Sequence, residues 1–335
     1  MKSFFKRVSS YFGKKFKLHI ADAVVSHSKM IQGALELDRL LLLSGRQACR
    51  QIQNIKRIEQ FEDVEFRVFS QWGEDGIIEW ILQNLPIRQK TFIEFGVENF
   101  REANTRFLIE NRNWKGLVID GSETNMRALR NTKLHHMYDI TAATEFITRE
   151  NINQIISQYG FSGDLGILSI DIDGNDFWVL EAIECVNPSV VICEYNPIFG
   201  DLFPVTVPYA PLFNRFNAHY SGLFFGASIA AIKLLADRKG YEFIGTNSNG
   251  INAFFVRQDL FPSIEPLIGN RKSYPSRHRD SYNEEGNLTF SGGLQRYDLI
   301  KHLPIVRVDT GEQVIFETMG LPYSKEWLEG MSVSQ

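Results

Sequence analysis

At 335 residues the chain has room for one large domain with additions, or for two domains. Hydrophobic residues make up 44% and charged residues 23%, which excludes a disordered chain, and a net charge of −4 speaks against a general nucleic-acid binder. No apolar run reaches the roughly 18 residues of a membrane span, no secretory leader is expected, and Cys49, Cys185 and Cys193 suit neither a disulfide framework nor a zinc spacing, so a reducing cytoplasm is the expected setting.

Residues 1–20 hold Lys2, Lys6, Arg7, Lys14, Lys15 and Lys17 and no acid, while Phe4, Phe5, Val8, Tyr11, Phe12 and Phe16 recur near a helical period. Such a basic amphipathic helix suits an anionic membrane surface, a partner subunit or a solvated terminus. Met30 to Gln60 reads as one long helix. Leu35 and Leu40 to Leu43 are too apolar for free solvation, so self-association through residues 30–60 is expected ahead of peripheral membrane contact.

From Ser70 the pattern becomes regular. Ser70 is placed to cap a helix carrying Ile77, Ile78, Trp80, Ile81 and Leu82. Strands are then expected at Thr91–Glu94, Gly116–Asp120, Leu134–Tyr138, Gly166–Asp171 and Ser189–Glu194. They alternate with helices at Asn104–Asn111, Glu123–Arg130, Glu150–Tyr159 and Asp176–Glu184. Continuous apolar strands between amphipathic helices predict a doubly wound parallel sheet covered on both faces. An aromatic, proline-rich insert at residues 196–226 breaks the rhythm. The helix Ala227–Lys239 and a hairpin, Tyr241–Gly245 with Asn252–Val256, then close the sheet with one antiparallel strand. The tail offers a basic loop, Arg271 to Arg279, which reads as solvated or as a contact for a phosphorylated acceptor, and a second hairpin at Ile305–Val308 and Val314–Glu317. The division expected is an N-terminal helical extension (1–65), an α/β sheet domain (66–260) and a C-terminal appendage or lid (261–335).

Ligands of doubly wound sheets bind at the carboxyl ends of the strands. Those ends read Glu94-Phe95-Gly96, Asp120-Gly121-Ser122, Asp171-Ile172-Asp173-Gly174-Asn175-Asp176 and Glu194-Tyr195-Asn196. Four carboxylate-bearing ends on one edge repel each other unless cations or ligand hydroxyls lie among them. Gly96 lets a backbone approach a ligand, although no full G-x-G-x-x-G run is present. Asp120, at the next strand end, suits a carboxylate accepting from two ribose hydroxyls.

The order Glu94-x-Gly96, Asp120, Asp171 and Glu194, ending in the helix–hairpin of residues 227–256, resembles the class I S-adenosylmethionine-dependent methyltransferases over about residues 70–257. Ser70-Gln71-Trp72-Gly73-Glu74-Asp75-Gly76 and Ile170-Asp171-Ile172-Asp173-Gly174-Asn175-Asp176 resemble the FkbM-like methyltransferases of bacterial glycan biosynthesis. The resemblance implies a Rossmann-like methyltransferase sheet and a cofactor set of Gln71, Glu94, Gly96, Asp120, Gly121, Ser122 and Asp171, with Glu94 and Gly96 at the methionine part and Asp120 at the ribose. One departure is Val97-Glu98-Asn99-Phe100, where the family's loop carries a further glycine. By likeness to metal-dependent O-methyltransferases, Asp171, Asp173, Glu194 and Asn196 would offer oxygens to Mg²⁺ or another divalent cation. The plain alternative has Asp171 anchoring a turn, Asp173-Gly174 turning and Asp176 capping a helix. Asp171 and His219 are the expected catalytic groups, His219 as a base in the insert; Tyr209 and Tyr220 are candidates for stacking on a sugar or adenine. The implied function is methyl transfer to a hydroxyl of a sugar or glycan intermediate, by a homo-oligomer that binds no nucleic acid. Competing readings are a glycosyltransferase holding a metal–nucleotide sugar at Asp171-Ile172-Asp173, and a non-catalytic assembly module.

Overall fold

The computed structural model describes residues 36–333. The chain divides into two units, Met1–Gln47 and Ala48–Gln335. In the first, residues 36–47 are helical, and Leu37, Leu40 and Leu43 stand exposed at 55%, 64% and 57%. The basic segment 1–20 and Leu35 lie outside the described residues. The helix (α1, residues 36–52) stops short of the expected Gln60, giving way to a turn at residues 53–54. No helix among the described residues is long and apolar enough to cross a membrane.

The second unit is built on a seven-stranded sheet. Helix α2 (Glu74–Asn84) precedes β1 (Thr91–Phe95), and α3 (Arg106–Arg112) leads to β2 (Lys115–Asp120). Helices α4 (Glu123–Arg130) and α5 (Lys133–Met137) lead to β3 (Ile140–Thr144), α6 (Ile152–Gln158) to β4 (Gly163–Ile170), and α7 (Asp176–Ala182) to β5 (Val186–Glu194). After the short β6 (Val205–Thr206) and α8 (Arg215–Ala218), α9 (Ile229–Arg238) enters the hairpin β7 (Tyr241–Thr246) and β8 (Asn252–Arg257). The sheet runs β3-β2-β1-β4-β5-β8-β7, with β1 to β5 parallel and β8 antiparallel between β5 and β7.

Alternation along each strand feeds two cores. Ile93, Phe95, Leu168, Ile170 and Val191 pack on one face, whereas Phe92, Val118, Ile167, Val190 and Ile192 pack on the other. Trp80 is fully buried in the second core and its indole N–H donates to the Ile55 carbonyl (2.9 Å), tying α2 to the segment before it. Gly76 is required on α2, because a Cβ there would lie 2.1 Å from the Val64 carbonyl oxygen.

Two expectations are corrected. Leu134–Tyr138 is not a strand: it falls on α5, where Thr132 Oγ1 caps the helix by accepting from the His135 amide, and the third strand is the next apolar run, Ile140–Thr144. The residue at the N-cap of α2 is Gly73, although Ser70 Oγ still accepts the Asp75 amide from four residues before the helix starts (3.1 Å).

The tail hairpin forms as β9 (Pro304–Arg307) and β10 (Gln313–Ile315), preceded by α10 (Leu294–Ile300) and followed by α11 (Lys325–Val333). It recruits β6 from the insert into a second sheet, β10-β9-β6. Phe316 is fully buried against Phe199 and Tyr297, and the Tyr323 hydroxyl donates to the Ile198 carbonyl (2.6 Å). The tail is thereby folded against the loop that follows β5.

Candidate functional site

A cleft of about 290 Å³ opens at the carboxyl ends of β1, β4 and β5, beside the first residue of β8. Loops after parallel strands meet here because each chain leaves the sheet at this edge and returns at the other.

At the β1 end, Glu94 is buried with its carboxylate already engaged. Oε1 accepts the Asn104 amide (2.8 Å), and Oε2 accepts both the amide and the hydroxyl of Thr105. This carboxylate therefore holds the loop that starts α3. Burial pushes Glu94 up to about 7, against the opposing effect of those hydrogen bonds. Gly96 has φ +72°, and a Cβ there would sit 1.5 Å from the Asp171 carbonyl oxygen. The close approach that demands glycine is therefore to the end of β4, a packing reason that adds to its place in the cleft lining.

Asp171 ends β4, and the chain turns at once. Asp173 adopts φ +55°, and Asp176 gathers the loop, its two oxygens accepting the amides of Ile172 (2.8 Å) and Gly174 (2.9 Å). Burial pushes Asp176 up to about 6. One carboxylate oxygen each from Asp171, Asp176 and Glu194 lies within 4.8 Å of the others. Burial first, and neighbouring carboxylates second, drive Asp171 and Glu194 well above the ordinary carboxylate range, so the pair retains a proton to higher pH than a solvated acid.

The opposite wall comes from the insert and the tail. Arg215, on α8, donates to Asp173 (2.6 Å) and to Asp280 (2.5 Å), with Phe225 beneath its guanidinium at 4.7 Å. Arg296 reaches the other oxygen of Asp280 (3.3 Å) and the His278 carbonyl (2.9 Å). Burial opposes ionisation of Asp280, but Arg296 and Arg215 hold it below the usual range. Behind Trp72, Glu74 is fully buried and takes four donors: the amides of Trp72 and Gly73, and the side-chain NH₂ groups of Asn247 and Asn252.

Of the sequence-designated residues, Gln71, Glu94, Gly96, Asp171, Asp173 and Glu194 line the cleft. Asp120, Gly121 and Ser122 do not. Asp120 sits one contact behind, with Oδ2 accepting the amide of the lining residue Glu98 (2.9 Å) and Oδ1 that of Ser122 (2.8 Å). Asn196 is corrected as a metal ligand: it is fully buried, its oxygen accepts the Ile198 amide and its NH₂ donates to the carbonyls of Leu223 and Phe225. His219 is corrected as the site's imidazole. It lies off the cleft against Ser221 Oγ (2.7 Å), Tyr220 and His302, and His278 lines the cleft instead. Tyr209 packs against Trp178 and Arg149 and donates to Glu150, also away from the cleft. Asp173 of the D-x-D triplet is committed to Arg215.

Arg215, Asn252, Asp280 and Arg296 were not singled out from sequence, and Trp72 was quoted only within the Ser70–Gly76 motif, yet all line the cleft. Among the described residues, nine buried side-chain atoms lack a hydrogen-bond partner. Unpaired buried polar atoms are costly, and five of the nine belong to residues of this lining: Trp72 Nε1, Glu194 Oε2, Arg215 Nε, Asn252 Oδ1 and Arg296 Nε. Seven acidic side chains against two arginines give the lining a negative balance.

No protein-family model matches the chain, and no curated protein matches it. Among solved structures it is similar to TehB from Haemophilus influenzae, with 13% identity and a TM-score of 0.31 over 50% of this chain and 57% of that one. It is also similar to a S-adenosylmethionine-dependent methyltransferase from Clostridium acetobutylicum, with 9% identity and a TM-score of 0.34 over 55% of this chain and 90% of that one. A third is an O-methyltransferase from Bacillus cereus solved in complex with SAH, with 16% identity and a TM-score of 0.33 over 50% of this chain and 72% of that one.

Proposed function

We propose that the chain is an S-adenosylmethionine-dependent methyltransferase acting on a hydroxyl of a sugar or glycan intermediate. The observation that carries this reading is the acid-rich cleft at the ends of β1, β4 and β5, in a sheet whose β8 runs antiparallel between β5 and β7. A negative lining suits a ligand bearing sulfonium and ammonium charges. Gln71, Glu94, Gly96 and Asp171 would hold the cofactor, and Asp120, with one backbone donor on each oxygen, keeps lone pairs for a ribose diol. When bound, the cofactor supplies a methyl group on a positively charged sulfur. The chain's own part is to orient the acceptor hydroxyl and take its proton as the new C–O bond forms and the C–S bond breaks. The Asp171–Glu194 pair serves as that base, since burial makes its carboxylates better proton acceptors than solvated ones. Calorimetric titration tests the reading: S-adenosylhomocysteine is expected to bind at micromolar strength and UDP-sugars not at all. The reverse result refutes it and revives the glycosyltransferase reading.

The convergence of Asp171, Asp176 and Glu194 oxygens favours a second form of this reading, in which a divalent cation is held there. Those three carboxylates, without Asn196, are the hard-oxygen donors present, and a cation would lower the pKa of the acceptor hydroxyl. Full turnover after chelation, with no metal by elemental analysis, eliminates this form and leaves the carboxylate base.

A further inference from the structure

Glu194 and Asn252 face each other directly in the antiparallel β5–β8 pair. Directly opposed residues carry their side chains on the same face, with Cβ atoms about 4.5–5.5 Å apart. Both are more than nine-tenths buried, both line the cleft, and each has an oxygen with no N–H or hydroxyl donor from the protein: Glu194 Oε2, on the carboxyl that pairs with Asp171, and Asn252 Oδ1. The orientation of Asn252 is fixed. Its NH₂ donates to Glu74 Oε1 (2.9 Å), so the atom left without a partner is the carbonyl oxygen. Glu74 Oε2 also accepts the Trp72 amide (2.9 Å), and the Trp72 indole Nε1–H lines the same cleft as an unmatched donor.

Two neighbouring acceptors and one donor define what satisfies them. An alkylammonium meets the acceptors but leaves the indole N–H unpaired. Two adjacent hydroxyls donate to both acceptors, and either oxygen accepts from the indole. We propose that Glu194, Asn252 and Trp72 form an acceptor subsite that recognises the vicinal diol of a neutral sugar. This rests on the methyltransferase reading and names its acceptor chemistry.

The test is saturation-transfer NMR on the full chain with S-adenosylhomocysteine bound, using a panel of methyl pyranosides that bear cis or trans diols, their monodeoxy analogues and ethanolamine. A diol-bearing glycoside is expected to bind, with about tenfold weaker binding when either hydroxyl is removed. Asn252→Ala is expected to abolish that signal. Trp72→Phe, which removes the donor and keeps an aromatic ring at the position, is expected to weaken it several-fold, with the urea midpoint measured alongside to check folding. S-adenosylhomocysteine affinity should stay within twofold in both variants. The subsite is refuted by a panel that stays silent while the cofactor product binds, by glycoside binding indifferent to both variants, or by ethanolamine binding that survives Trp72→Phe. Loss of S-adenosylhomocysteine binding in Asn252→Ala assigns the position to the cofactor and refutes the subsite too. Failure of wild-type protein to bind S-adenosylhomocysteine instead removes the underlying methyltransferase reading.

Discussion

The two ends of the cleft are built on opposite principles. At the β1–β2 end the carboxylates are spent on the backbone: Glu94 on Asn104 and Thr105, Asp120 on Glu98 and Ser122. Nearby, Asp75 Oδ2 accepts the amides of Val68, Phe69 and Ser70, while its Oδ1 is left without a partner. At the β5–β8 end, Glu194, Asn252 and Arg296 are buried and Arg215 is partly so, yet each leaves one polar atom unmatched. Folded chains satisfy nearly all buried polar groups, so unmatched atoms gathered at the β5–β8 end stand out, while at the β1–β2 end Asp120 keeps lone pairs beyond its two backbone contacts. The same residue type thus stands in two settings: an acid bound to the amides of a loop, and a buried acid paired with another, Asp171 with Glu194.

The largest effect expected from this contrast is at Glu194. Glu194→Gln should lower kcat by roughly 10²–10⁴-fold, the usual worth of a positioned base, in stopped-assay kinetics with a responsive acceptor. A loss under tenfold would return Glu194 to the structural class. Glu74→Gln should unfold more readily instead, by about 3 kcal/mol in urea titration, because an NH₂ replaces an oxygen that faced buried donors. An unchanged midpoint would mean the Trp72–Glu74–Asn252 frame is not rigid.

A pH experiment separates the two ends on one sample. Burial raises Asp75 and Asp176 to about 6 and Glu94 to about 7, so the folded chain holds these protons more tightly than the unfolded chain. Their stabilising contribution is complete below the ordinary carboxylate pKa and is lost as pH rises through about 6 to 7. The urea midpoint should therefore fall between about pH 4 and 7, and less steeply in Glu94→Gln. Turnover should move the other way, rising with pH as the Asp171–Glu194 pair loses its proton. Parallel profiles for stability and turnover would contradict the division.

The smallest effect is expected at His219. With its ring against Ser221, Tyr220 and His302, His219→Ala should change kcat less than about twofold, whereas a base would cost at least tenfold.

The sheet was legible in sequence because its strands are local apolar runs and its helices local amphipathic ones. The carboxylates at the strand ends followed from the rule that ligands bind there. The third strand was misplaced because Leu134 and Tyr138 fit a helical spacing as well, and Thr132 decides the matter by capping α5. The far wall had no local signal. Asn252 meets Glu74 across 178 positions, and Arg215 meets Asp280 across 65. Asn252 reads as the start of a strand and Arg296 drew no reading at all; only the folded chain reveals that both line the cleft.

The most direct measurement is S-adenosylhomocysteine affinity, by calorimetry, in wild type, Asp120→Ala and Glu194→Gln. Micromolar binding is expected in wild type, severe weakening in Asp120→Ala and a change within about threefold in Glu194→Gln, because the proposed cofactor residues Glu94, Gly96 and Asp120 lie at the β1–β2 end. Undiminished binding in a folded Asp120→Ala, or loss of binding in Glu194→Gln alone, would contradict that assignment.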